Sequence, residues 1–129
     1  MAVVPRNHPI RGRSTAFHEL LDYDMVGLEG STPLMALLHD AARAAGKLLR
    51  LRVQVYSFDV VCRMIAARQG IGVLPKMAAR TYCRDLNLRL VALTDKWALR
   101  SIYLCVRDEP LAASAQKMVD HLLGPAAAR

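Results

Sequence analysis

Aromatic residues are scarce in this chain: four tyrosines, two phenylalanines and one tryptophan among 129 residues. That scarcity argues against a stacking platform for single-stranded nucleic acid. The three cysteines, Cys62, Cys83 and Cys105, form no Cys-x-x-Cys pair, so the reading is buried, inert thiols in a reducing compartment rather than a disulfide framework. His8, His18, His39 and His121 show no metal-ligand spacing with one another or with the cysteines, and no metal site is expected. No stretch approaches the ~20 apolar residues of a membrane span. Gly70 and Gly72 sit at a helix-to-strand junction, whereas a phosphate-binding glycine loop needs the strand-to-helix junction. A Gly-x-Ser-x-Gly elbow is also missing. Neither a nucleophile–base pair nor a cofactor motif stands out, so binding rather than catalysis is the expectation, with no cofactor. Met1-Ala-Val-Val-Pro5-Arg6 leads into charges rather than a signal-peptide core, which makes a cytoplasmic location the default.

What is present is a soluble, globular composition of one-domain length, 53% apolar and 22% charged. The net charge of +7 invites a nucleic-acid reading. However, the basic residues are scattered, with no dense run and no aromatic interleaving. They read as solvated faces with a weak general attraction for anions.

Residues 49–75 carry the clearest pattern. Leu49, Leu51, Val53 and Val55 alternate with Arg50, Arg52 and Gln54, the period of a half-buried strand. Ser57 supplies an N-cap oxygen, and Phe58, Val61, Cys62 and Ile65 share one helical face. Gly70 is expected to stop that helix in a left-handed conformation, and Ile71-Gly-Val-Leu74 is a short buried strand closed by Pro75. Two strands joined by one crossover helix lie parallel, with a right-handed connection.

Around this unit, residues 2–5 read as a strand ending at proline, and Ser14 or Thr15 as the cap of a short helix through Leu21. Met25-Val-Gly-Leu28 is a further strand. Thr32 and Pro33 open the best helix, with Leu34, Leu37, Leu38, Ala41, Ala42 and Ala45 on one side and Gly46 at its end. Beyond Pro75 follow a helix over 76–84, strands over 88–93 and 102–106, and a helix over 114–123 stopped by Gly124-Pro125 before a frayed 126–129 tail. The alternation of strand and helix predicts an α/β domain, a doubly wound, mostly parallel sheet with helices on both faces.

Two strand-to-helix junctions, Gly30-Ser-Thr-Pro33 and Tyr56-Ser-Phe-Asp59, put hydroxyls and free N–H groups at helix N-termini. If their strands are parallel, both junctions face one edge of the sheet and suit a carboxylate or similar anion. The plainer alternative is that Ser31, Thr32 and Ser57 are only caps.

Taken in order, the segments resemble the effector-binding domain of LysR-type transcriptional regulators. The matching pieces begin with Val3-Val-Pro-Arg-Asn-His-Pro9, Phe17-His-Glu-Leu-Leu21, Met25-Val-Gly-Leu28 and Gly30-Ser31. Ala45-Gly46, Ser57 and above all Met64-Ile-Ala-Ala-Arg-Gln-Gly-Ile-Gly-Val-Leu-Pro75 continue the match. Leu93-Thr-Asp-Lys-Trp97, Arg100, Tyr103-Leu-Cys-Val-Arg107 and the closing helix complete it. The family commonly has a small residue and a glycine where Arg68-Gln69 stand here.

The resemblance implies a partial type 2 periplasmic-binding-protein-like fold, lacking the helix-turn-helix and most of the first lobe. Residues 1–5 would be the hinge or crossover strand, 6–86 the second lobe, and 87–129 a return segment of strands and a C-terminal helix. On that reading the strands over 88–93 and 102–106 lose their neighbours, so the chain should self-associate or have a mobile C-terminal third. The implied function is binding of a small organic effector, a carboxylate or other anion, to modulate transcription. Ser57 and Phe58, then Ser31 and Thr32, are the candidate site residues, with Phe58 as an apolar wall. The expected partners are the effector and a second copy in a homo-oligomer, with no direct nucleic-acid contact and no membrane. The alternative is a dimerisation or interaction module that pairs with full-length regulators and has no ligand of its own. A periplasmic solute-binding protein and an enzyme rank below both.

Overall fold

Six strands alternate with helices in the computed structural model, which describes residues 1–124. The expected stop at Pro125 and the 126–129 tail lie outside the described residues. Residues 1–99 and 100–129 separate into two compact units.

In the first unit, β1 (Ala2–Pro5) lies between β5 (Gly72–Val73) and β6 (Leu88–Leu93), antiparallel to both. The short β2 (Ser14–Thr15) runs parallel to β6 on its far side. A parallel pair, β3 (Met25–Leu28) and β4 (Leu51–Val55), joins through one parallel bridge, Met25 to Ile71. There the Val26 N–H donates to the Ile71 carbonyl at 2.7 Å, and the Ile71 N–H to the Asp24 carbonyl at 3.0 Å. The strands therefore follow the order β2-β6-β1-β5-β3-β4, with β1 alone reversed. The mostly parallel sheet is as expected, and β4 and β5 do run parallel, with β3 between them.

The period-two rule then sorts side chains to two cores. Ala2, Val4, Met25, Ile71, Val73 and Val91 face one side. There they pack with Phe17 and Leu20 of α1 (Phe17–Leu20) and Met35, Leu38 and Ala42 of α2 (Pro33–Ala44). Val3, Val26 and Leu74 face the other, against Val61, Cys62 and Ile65 of α3 (Phe58–Ala66) and Ala79 and Cys83 of α4 (Lys76–Cys83). Helices thus cover both faces, the doubly wound arrangement. β4 alternates half-buried Leu51, Val53 and Val55 with exposed Arg52 and Gln54, as its sequence predicts for an edge.

Several local expectations are corrected. Ser14 and Thr15 form a strand instead of capping α1, and the cap comes from far along the chain: the Phe17 N–H donates to Asp95 Oδ2 at 2.7 Å. α3 ends in a left-handed residue as expected, but that residue is Arg68 at φ 60°, not Gly70. Gly70 instead has φ 152°, and a Cβ there would stand 2.5 Å from the Asp24 carbonyl oxygen. β6 has partners on both sides, supplied by β1 and β2 rather than by another lobe. Finally, Cys62 and Cys83 are buried but Cys105 is exposed.

In the second unit, residues 102–106 form no strand, and α5 (Ala113–Leu123) is an amphipathic helix without a side-chain cap. Ile102, Tyr103, Met118 and Leu122 are exposed.

Candidate functional site

The pairing of β3 with β4 sets Leu28 beside Val55, so both strands end at the same edge of the sheet. The Glu29 N–H donates to the Val55 carbonyl at 2.8 Å, which carries the pairing one residue beyond the strands. α2 and α3 start a few residues later, and both predicted junctions therefore lie side by side at the carboxyl edge. Thr32 caps α2 by accepting from the Met35 N–H at 3.2 Å, and Ser57 caps α3 by accepting from the Val60 N–H at 3.4 Å. Pro33, at the first position of α2, has no N–H to offer. Among the described residues, the amides of Leu34, Phe58 and Asp59 keep no protein acceptor, which leaves three donors for an anion.

The four predicted site residues share this edge but differ in what they do. Ser31 and Ser57 are exposed and Thr32 is half-buried. Phe58, also half-buried, packs against the Val3 and Val61 core. Sequence reasoning missed Glu29 and Tyr56. Interaction with the nearby Glu29 carboxylate, through hydrogen bonding and then its charge, raises the Tyr56 phenol pKa above its ordinary value. Glu29 thus places one negative charge beside the two helix termini. The other nearby carboxylate, Asp59, is held by Arg63 Nε at 3.2 and 3.1 Å.

A cavity of about 300 Å³ opens at the opposite, amino edge, lined by residues that include His8, Tyr23, Asp24, Arg52 and Arg68. Asp24 pairs with Arg50 at 2.9 Å and Arg52 at 3.6 Å. The His8 ring meets Tyr23 edge-on at 4.6 Å, and burial, aided by Arg89, lowers its pKa. No periodic pattern marks this cavity in the sequence, because its lining comes mostly from loops before β3 and β5 and after β1, joined by Arg52 of β4. Among the described residues, no three metal-ligating side chains gather in one place, and no helix is long and apolar enough to cross a membrane.

A doubly wound, mostly parallel sheet with paired helix N-termini at its carboxyl edge defines a periplasmic-binding-protein-like α/β fold. The profile of the LysR substrate binding domain matches residues 1–126, and the chain belongs to that family. Its fold is similar to that of the regulatory domain of CcmR from Synechocystis PCC6803, solved with 2-PG (TM-score 0.73, 16% identity, 95% of this chain and 60% of that one). It is also similar to the effector binding domain of QuiR, solved with shikimate (TM-score 0.66, 14% identity, 92% of this chain and 56% of that one). A probable transcriptional regulator from Pseudomonas aeruginosa matches over 74% of this chain and 32% of its own, with TM-score 0.60 and 14% identity. At these identities the likeness is one of fold, and the chain spans between 32% and 60% of the length of these three proteins. No curated protein matches the chain.

Proposed function

We propose that the chain is the effector-sensing part of a cytoplasmic LysR-type transcriptional regulator and binds a small organic anion at the carboxyl edge of its sheet. One observation carries this reading: the Leu28–Val55 pairing brings two helix N-termini together with three unpaired amides. Each terminus bears roughly half a positive charge. The Ser57 and Ser31 hydroxyls add donors, Thr32 fixes the turn of α2, and the half-buried Phe58 is the apolar wall. The Glu29 carboxylate opposes an anion, so the site favours a ligand with a hydroxyl that can donate to it. Two relatives solved with small molecules, shikimate and 2-PG, support this class of ligand.

On this reading residues 1–5 serve as the hinge strand, 6–86 as the second lobe and 87–129 as a return segment. Binding would bias the closure of two lobes, and transcription would follow that bias without chemistry on the ligand. The chain itself touches no nucleic acid and works as a homo-oligomer.

The test is thermal unfolding of the chain against a panel of small organic acids. A ligand at ~100 times its dissociation constant stabilises the native state by about 2.7 kcal/mol. One acid should raise the melting temperature, and Ser57→Ala should reduce the shift. A melt that no acid moves removes the reading.

The exposed apolar side chains of Leu99, Ile102, Tyr103, Met118 and Leu122 favour a second reading, a pairing module that docks on a full-length regulator and has no ligand. Co-purification with such a regulator, without any ligand-induced stabilisation, would select it.

A further inference from the structure

The cavity at the amino edge lies at the other end of the sheet from the proposed effector site, and it has its own machinery. Helix α3 closes with the Arg68 N–H donating to the Ile65 carbonyl at 2.9 Å and the Gln69 N–H to the Met64 carbonyl at 3.0 Å. This closure demands a left-handed residue one past the cap, where glycine is free of strain. Arg68 takes the position instead, at φ 60°. Strain of that kind persists where the surroundings dictate it and clusters at ligand sites.

The guanidinium set there lines the cavity, and among the described residues no carboxylate lies within ion-pairing distance of it. His8 adds a donor: its Nδ1 accepts from the Ile10 N–H at 3.3 Å, so the neutral ring carries its proton on Nε2. Arg50 and Arg52 both pair with the Asp24 carboxylate, and with Arg68 on the cavity wall positive charge is in excess. Pro5, Ile71 and the Tyr23 ring complete the wall with apolar surface.

We propose that this cavity is a second ligand site, taking a small monocarboxylate with an apolar body gripped by Arg68 and Arg52. The apolar wall favours a carboxylate with a hydrocarbon body over inorganic phosphate, and about 300 Å³ admits a single small ring. The site needs nothing from the carboxyl edge and stands apart from the effector reading.

The experiment is a titration of the full chain with benzoate, read residue by residue from backbone amide NMR shifts, with inorganic phosphate as the comparison. Saturable shifts should appear at Tyr23, Gly70 and Ile71. Arg68→Gly should weaken benzoate by about tenfold or more and at the same time raise the melting temperature, because the left-handed strain is gone. Arg52→Gln should weaken benzoate as well. Shifts confined to Gly30, Ser57 and Phe58 would overturn the proposal. So would unaltered benzoate affinity in Arg68→Gly, tighter binding of phosphate than of benzoate, or no saturable shift at millimolar benzoate.

Discussion

Residues 88–93 and 102–106 carry nearly the same message in sequence and have opposite fates. Leu88-Arg-Leu-Val-Ala-Leu93 and Ile102-Tyr-Leu-Cys-Val106 are both short apolar runs rich in strand formers. The first is a central strand, hydrogen-bonded to β1 over four residue pairs and to β2 over two, with Val91 fully buried. The second pairs with nothing among the described residues, and Ile102 is 99% exposed. Strand propensity is a capacity that a backbone partner realises. β6 finds its partners within the chain, at positions some 80 residues earlier. The second run finds none and leaves apolar surface open to association.

The sharpest way to break this contrast is to place a charge in each run. Val91→Asp buries an unpaired carboxylate and should cost about 4 kcal/mol or more, a large share of the stability of an ordinary domain. Ile102→Asp should change stability by no more than about 0.5 kcal/mol, while lowering the self-associated fraction in sedimentation. Equal losses of stability in urea melts would refute the contrast. Gly70→Ala tests the junction that makes two strand pairs one sheet. Its Cβ would strike the Asp24 carbonyl oxygen, a backbone atom that cannot swing aside. A loss of about 3 kcal/mol is expected, and a neutral result would mean that the Met25–Ile71 bridge opens freely.

Much of this fold is legible in the sequence, because its repeating elements obey local rules. The helices over 33–44, 58–66 and 76–83 and the strand over 51–55 follow from period and caps, and the parallel crossover follows from chain geometry. What escapes is non-local. Nothing in Ala2-Val-Val-Pro5 tells that it runs antiparallel to both neighbours, and nothing near Phe17 points to Asp95 as its cap. Among the site residues, the adjacency of the Thr32 and Ser57 caps is readable, since it needs only two parallel strands. Glu29 and Tyr56 meet across the strand pair, and that register is invisible before pairing is known. The amino-edge cavity is hidden for the same reason, with one exception: Arg68-Gln69 in place of small residues was a visible departure from the family's pattern.

The cysteines offer a milder probe of the same two regions. Burial pushes the Cys62 thiol up to about 12, with neighbouring Cys83 adding to the shift, and burial raises Cys83 as well. Neither forms thiolate near pH 8. Cys105, within the unpaired run, is exposed. Iodoacetamide at pH 8 should therefore add one label to the native chain, at Cys105, and three after denaturation. Mass spectrometry of the digest reads the positions, and labelling of Cys62 in the native state would show that the α3–α4 layer opens on the timescale of the reaction.

The smallest expected effect comes from His8, whose pKa is lowered first by burial and then by Arg89. The folded state therefore releases its proton more readily than the unfolded chain, where the value stays near 6.5. As pH falls through that value the unfolded state takes up a proton that the folded state refuses, so stability drops with acidification. The loss levels off once the pH is below the folded value. The ring is only partly buried and screening is substantial, so the change should stay under about 1 kcal/mol. Melting temperatures between pH 7.5 and 5.5 should slope downward in the parent chain and less steeply in His8→Gln. An identical slope in both would assign the acid sensitivity to another group. A slope that vanishes when His8 is replaced would place it at the loop after β1, where packing rather than propensity decides the protonation state.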